Sequence, residues 1–392
     1  MVYQYVFTVL ILYAWPNPMP EYIPIRSFNV THESFANFKQ YINEMLEEKV
    51  KQTREGKATK GMDILGALVR SSYGTSEPNS RQGSPARAEK GSIDKPVLTD
   101  AEILGNAFVM IFAGHETTAN SIHFALIELA TYLKPQKEAQ KQIEEILGDK
   151  RPETWDYDSY INILLGSILG AIMNEQLRLM PPEPTIPKSV CKNQDQEITI
   201  DGKKVILPAG ANIGVNVIGV QRNPKYWPTG PSEINPGHND LNDFKPERWV
   251  MKAGTTGNCS PAESQDEEDF GGDTGRDSSA GLFKPVTGSY IPFSAGAHSC
   301  LGRRLAQIEI IAVLAVIFQK YSIELAVDEW ANDEEVAKMT KEERRALYNK
   351  AQIRSRETLR SADLVLTLKL SPKFVPLRVV RKGDERFFDL FD

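Results

Sequence analysis

Residues 293–302 read Phe-Ser-Ala-Gly-Ala-His-Ser-Cys-Leu-Gly and constrain this chain more than any other stretch. They set one cysteine, Cys300, between Gly296 and Gly302. The apolar run that follows, residues 303–318, predicts a buried helix. Cys300 is therefore placed just ahead of a helix N-terminus, where unpaired N–H groups and the helix dipole stabilise an anion. A thiol in that position is poised as a thiolate. The two glycines remove Cβ atoms where the backbone must turn sharply or approach a flat ligand.

A thiolate in such a loop can act as a nucleophile, bind zinc or bind haem iron. The chain has three cysteines, Cys191, Cys259 and Cys300, and no C-x-x-C spacing, which argues against zinc. A cysteine nucleophile needs a basic histidine nearby, and His298 can serve. An inert cysteine at a loop–helix junction is the remaining reading.

Three further segments precede the loop. Ala113-Gly-His-Glu-Thr-Thr118 is a polar interruption in an apolar helical stretch. Glu175-Gln-Leu-Arg178 places an acid and a base three apart, on one helix face, where they can pair. Phe244-Lys-Pro-Glu-Arg-Trp249 adds a second arginine, Arg248.

In this order the four segments resemble the motifs of the cytochrome P-450 family, most specifically between residues 98 and 321. The cysteine loop is similar to the family's haem-binding signature, Phe-x-x-Gly-x-Arg-x-Cys-x-Gly. Phe293, Gly296, Cys300 and Gly302 match it, and His298 stands where the family has arginine. The resemblance implies a mainly α fold with small β regions, in one domain over residues 1–392. It also implies haem b, with Cys300 as axial ligand of the iron. Phe293, Gly296, His298, Gly302, Ala113 and Gly114 would surround that cofactor. Histidine offers fewer donors than arginine's planar fork, so a haem propionate is expected to be held less firmly, with Lys188 or Arg303 compensating.

By the same resemblance, Glu116 and Thr117 are the acid and alcohol that deliver protons for O–O cleavage, a step that an electron-rich axial thiolate favours. Thr117 is also expected to bond its own helix backbone and bend the helix there. Glu175, Arg178 and Arg248 are implied to form a buried structural cluster behind the cysteine loop. Phe108, Phe112, Ala113, Thr117 and residues 184–187 are expected to wall the substrate pocket. The implied activity is monooxygenation: one atom of O2 enters a small apolar organic substrate. Electrons would come from NADPH through a flavoprotein reductase. The acidic, Gly/Ser-rich residues 252–281 and the fungal-looking Gly302-Arg-Arg-Leu-Ala306 point by analogy to secondary-metabolite biosynthesis. Two alternatives stand beside this: an inactive truncated family member, and a haem-thiolate isomerase or dehydratase.

A net charge of −6 argues against a nucleic-acid partner. The unpaired cysteine spacing fits a reducing compartment. The family implies the cytosolic face of the endoplasmic reticulum membrane. The apolar run at residues 6–15 is shorter than the roughly 18 residues a span needs, and it lacks the positive flank of a signal peptide. The chain is expected to lack the family's N-terminal part, with residues 1–51 as a substrate roof. The sequons at Asn29 and Asn258 are read as chance matches.

Patterning predicts helices at residues 34–50, 63–69, 99–133, 136–147 and 160–179, the third opened by a Thr99–Glu102 capping box. A hairpin turning at Asp201-Gly202 is expected between strands 197–200 and 204–207. Residues 327–360 are charged and partly helical, and segments 362–370 and 374–380 read as a closing strand pair. Residues 70–97 and 252–281 read as a flexible loop and a disordered insertion.

Overall fold

A computed structural model describes residues 26–57, 64–73, 98–250, 282–364 and 366–391. The run at residues 6–15, the Asn258 sequon, Cys259, residues 74–97 and the insertion lie outside these. The chain divides into two compact units, Met1–His115 and Glu116–Asp392.

The first unit contains α1 (Arg26–Arg54), α2 (Ile64–Tyr73) and the start of α3 (Asp100–Thr131). Residues 70–73 are thus helix, not loop. Apolar side chains three and four apart make one stripe per helix, and these stripes meet in a core of Ile42, Leu46, Leu65, Val69, Ile103 and Ala107. The expected capping box opens α3: Thr99 N–H donates to Glu102 Oε2 (2.8 Å), and Glu102 N–H to Thr99 Oγ1 (3.3 Å).

The second unit packs the rest of α3 with α4 (Leu133–Leu147), α5 (Tyr157–Leu165), α6 (Ile168–Leu179) and α8 (Arg303–Lys320). Its core includes Phe124, Ile143, Leu169, Ile172, Ile311, Leu314 and Phe318, each at most 1 % exposed. Residues 160–179 were expected as one helix but form two. Gly166 caps α5, and Ser167 Oγ accepts the Leu169 N–H to start α6. The chain folds back so closely that a Cβ on Gly170 would lie 1.9 Å from the Leu165 carbonyl oxygen.

Among the described residues, four small antiparallel ladders accompany the helices. Strand β1 (Thr185–Ser189) pairs with β4 (Asn212–Asn216), and α7 (Val217–Gln221) follows. Between them β2 (Gln196–Ile200) and β3 (Lys203–Leu207) form the predicted hairpin, with Asp201 (φ 48°) and Gly202 (φ 76°) left-handed as a type I′ turn requires. The charged segment holds α9 (Asp333–Lys338) and α10 (Lys341–Leu359). The expected closing strand pair does not form. Instead β6 (Asp363–Leu364) pairs with β7 (Leu368–Lys369), and β8 (Leu377–Arg381) pairs with β5 (Tyr321–Leu325). Strand β5 continues directly from α8, so the core helix sets the strand that β8 pairs with along all five of its residues.

Candidate functional site

The cysteine loop is built by backbone turns. Ser294 (φ 63°) and Gly296 (φ 75°) are both left-handed. Glycine adopts that conformation without cost, whereas Ser294 is held in it by its N–H bond to the Ile291 carbonyl (3.1 Å). Cys300 N–H donates to the Phe293 carbonyl at 2.8 Å, closing the loop. The Phe293 ring packs against the main core and anchors it. Gly302 caps α8, so Cys300 stands just ahead of the helix N-terminus, as its sequence position predicts.

Cys300 is exposed, together with Ala295, Gly296, Ala297, His298 and Leu301, the last at 78 %. Nothing lies within 4 Å of where a Gly296 Cβ would be. The thiol thus lies on an open face of mostly small and apolar residues, with His298 the polar one among them. Among the described residues no three His, Cys, Asp or Glu side chains are grouped to hold a metal. Cys300 therefore offers a single sulfur donor. That suits an iron whose other ligands come from a flat macrocycle, and the open apolar face suits the macrocycle itself. These residues fit haem.

On α3, Ala113 and Gly114 are exposed in the first unit, while Glu116 and Thr117 are half-buried in the second. The Glu116 carboxylate is held by Lys369 of β7: Nζ to Oε1 is 2.8 Å, with side chains 12 % and 20 % exposed. One turn further on, Asn120 Nδ2 donates to Thr367 Oγ1 at 2.8 Å. Leu368 N–H donates to the Pro182 carbonyl, just beyond α6 (2.8 Å). The β6–β7 hairpin thereby ties α3 to the end of α6. Sequence reasoning missed Lys369 and Thr367, because nothing local marks partners some 250 positions away. Ser121 makes a back-bond of the kind expected in this part of α3, its hydroxyl donating to the Thr117 carbonyl at 2.9 Å.

Glu175, Arg178 and Arg248 come together as expected. Arg178 grips both oxygens of Glu175, Nε to Oε2 at 2.7 Å and Nη2 to Oε1 at 2.8 Å. Lys245 N–H (3.0 Å) and Trp249 Nε1 (2.9 Å) also donate to this carboxylate, and Arg248 Nε lies 3.6 Å away. Arg178 Nη1 reaches the Leu241 and Gln221 carbonyls. Both Glu175 and Arg178 are fully buried. Burial alone would raise the Glu175 pKa, but Arg178, Arg248 and Trp249 outweigh it and hold the carboxyl below its usual value. Two of these donors, on Lys245 and Trp249, belong to the turn at Pro246–Trp249 that precedes the insertion, so the cluster fixes this turn against α6.

A mainly helical fold with a cysteine loop leading into a core helix is the architecture of haem-thiolate proteins. This chain belongs to the cytochrome P-450 family, whose profile matches residues 2–348. It is 27 % identical over 295 residues to cytochrome P-450 monooxygenase AOL_s00215g278 of Arthrobotrys oligospora, covering 74 % of this chain and 46 % of the relative. It is 26 % identical to cytochrome P-450 monooxygenase 124 of Postia placenta, covering 83 % of this chain and 50 % of the relative. The chain spans about half the length of the curated relatives it matches. A crystal structure of a cytochrome P-450 (CYP102L1) shares the fold, with TM-score 0.56, 19 % identity and coverage of 96 % of this chain and 64 % of that chain. Among the described residues no helix is long and apolar enough to cross a membrane.

Proposed function

We propose that this chain forms the haem-thiolate domain of a monooxygenase, over residues 1–392. The observation that carries the reading is the open, apolar face around the exposed Cys300 thiol. Cys300 would ligate the iron, with Phe293, Gly296, His298 and Gly302 on the thiolate side, and Ala113 and Gly114 of α3 also lining the cofactor. The bound haem b would supply the activation of O2, with electrons from NADPH through a flavoprotein reductase.

The chain's own residues supply what the macrocycle lacks. Glu116 holds a carboxylate beside Lys369 and can take up and release a proton there. Thr117, the next residue, offers a hydroxyl that passes that proton on. Phe293 keeps water from one side of the sulfur. His298 gives a propionate one hydrogen-bond donor. The substrate would be a small apolar molecule, and the chemistry would belong to secondary-metabolite biosynthesis at the cytosolic face of the endoplasmic reticulum; the fungal relatives support the monooxygenase class itself.

The test is spectroscopic. Purified chain supplied with haem, reduced and exposed to carbon monoxide, should show the red-shifted Soret band of thiolate-ligated iron. Cys300→His should bind haem without that shift. A chain that takes up no haem, or an unshifted wild-type band, overturns the proposal.

A further inference from the structure

The second unit holds a cavity of about 450 Å³ that the proposed monooxygenase chemistry does not use. Its size falls within the range of small-molecule sites, about 300–1,000 Å³. Its lining includes neither Glu116 nor Thr117, nor any residue of the cysteine loop. The contribution of α3 to its wall is Glu128, about 16 Å further along the helix than Thr117 at ~1.5 Å per residue.

Two polar groups in this wall lack partners. Glu128 is 7 % exposed, and its carboxyl makes no hydrogen bond or close ion pair among the described residues; Arg356 and Arg222 act on it from further away. The Nε of Arg222 is also buried without a hydrogen-bond partner, although its Nη2 donates to the Leu179 carbonyl (2.6 Å). Buried polar groups are normally satisfied, so the orphaned Arg222 Nε, in the same wall as a Glu128 carboxyl that makes no bond, marks a place where something completes it. Asp243, the other acid in the wall, is already engaged by the Ser232 hydroxyl and the Glu233 N–H.

The charges decide what fits. Arg222, Arg356 and Arg360 bring three guanidinium groups to the cavity. Burial pushes the Glu128 pKa up to about 8, so at neutral pH it presents an O–H donor and little charge. The wall is therefore rich in donors and positive. Besides Asn235, Asn242 and Asp243, the wall carries apolar side chains, including Ile218, Phe244, Leu359 and Leu368. An occupant must carry an anionic acceptor at one end and an apolar body at the other. Guanidinium groups match a planar carboxylate with paired hydrogen bonds.

We propose that this cavity is a binding site for a small organic carboxylate with an apolar tail. The head accepts from Arg222, Arg356 and Glu128, and the tail lies along Ile218, Phe244 and Leu368.

Calorimetric titration of the full chain with decanoate, decanol and decylamine tests this. Decanoate should bind at least tenfold more tightly than the other two. Arg356→Met should weaken decanoate at least tenfold and leave decanol within twofold. Ile218→Trp should fill the cavity and remove both decanoate and decanol while the melting temperature holds. Arg222→Gln should act like Arg356→Met; because Arg222 also holds the Leu179 carbonyl, Arg356→Met carries the test if that variant fails to fold. Equal binding of the three probes, no decanoate binding, or decanoate binding that survives both Arg356→Met and Ile218→Trp overturns the proposal. None of these outcomes depends on haem, so failure here and failure of the monooxygenase reading are separate results.

Discussion

Replacing Glu175 by glutamine should be among the most destabilising single changes in this chain, although it alters one atom. The carboxylate accepts four hydrogen bonds, from Arg178 (2.7 and 2.8 Å), Lys245 (3.0 Å) and Trp249 (2.9 Å). Glutamine keeps one acceptor oxygen and turns an NH₂ group toward donors. Arg178, fully buried, is then left with an uncompensated charge. Breaking a buried pair in this way costs about 3–5 kcal/mol. At about 2 °C per kcal/mol for a large domain, the melting temperature should fall by about 6–10 °C.

The control has the same distance and a different environment. Lys204 and Glu197 also lie 2.7 Å apart, but their side chains are 75 % and 53 % exposed. Glu197→Gln should cost no more than the ~0–1 kcal/mol of a surface pair. Urea and thermal unfolding of both variants measure the contrast. A Glu175→Gln loss within about 1 kcal/mol of the control would refute the argument that burial, rather than distance, sets the cost. The pH dependence gives a second reading. The folded pKa of Glu175 is depressed, so its contribution is present above the unfolded value and is lost as pH falls through the folded one. Wild type should lose this increment on acidification below about pH 4, and Glu175→Gln should not.

Glu128 has the opposite sign: its folded pKa is raised to about 8, so stability present below the unfolded value near 4.5 is lost as pH rises toward 8. Glu128→Gln should therefore match wild type in unfolding near pH 4 and exceed it by a few kcal/mol above pH 8, at about 1.4 kcal/mol per pH unit. Gly170→Ala should destabilise by about 1–3 kcal/mol or more in urea titration, because its Cβ meets the Leu165 backbone. Gly105→Ala, in α3 with nothing within 4 Å, should instead stabilise by about 0.5–1 kcal/mol. In haem-loaded protein, Lys369→Met should lower the product formed per O2 consumed, and Lys369→Arg should retain it, with the carbon-monoxide spectrum unchanged in both. Equal coupling in all three proteins would remove Lys369 from the control of Glu116.

What could be read in advance was local or matched a motif. The Thr99–Glu102 box and the Asp201-Gly202 turn depend on residues within four positions of one another, so sequence alone defines them. Glu175 and Arg178 share a helix face at any site. The placement of Cys300 ahead of α8 follows from the apolar run after it. The break at Gly166-Ser167 was missed because apolar periodicity runs through it; what separates α5 from α6 is the fold-back of Gly170 against Leu165.

The sequence by itself determined the helical character of the chain, its turn chemistry, the family and the place of Cys300 ahead of a core helix. The tertiary structure decided the partners. It paired β8 with β5, brought Lys369 to Glu116 and Trp249 to Glu175, and left Glu128 and Arg222 facing one cavity. The physical reason is range. Caps, turns and helix faces are set by short stretches of backbone, whereas ion pairs and strand pairs between distant segments exist only once the core has brought those segments together.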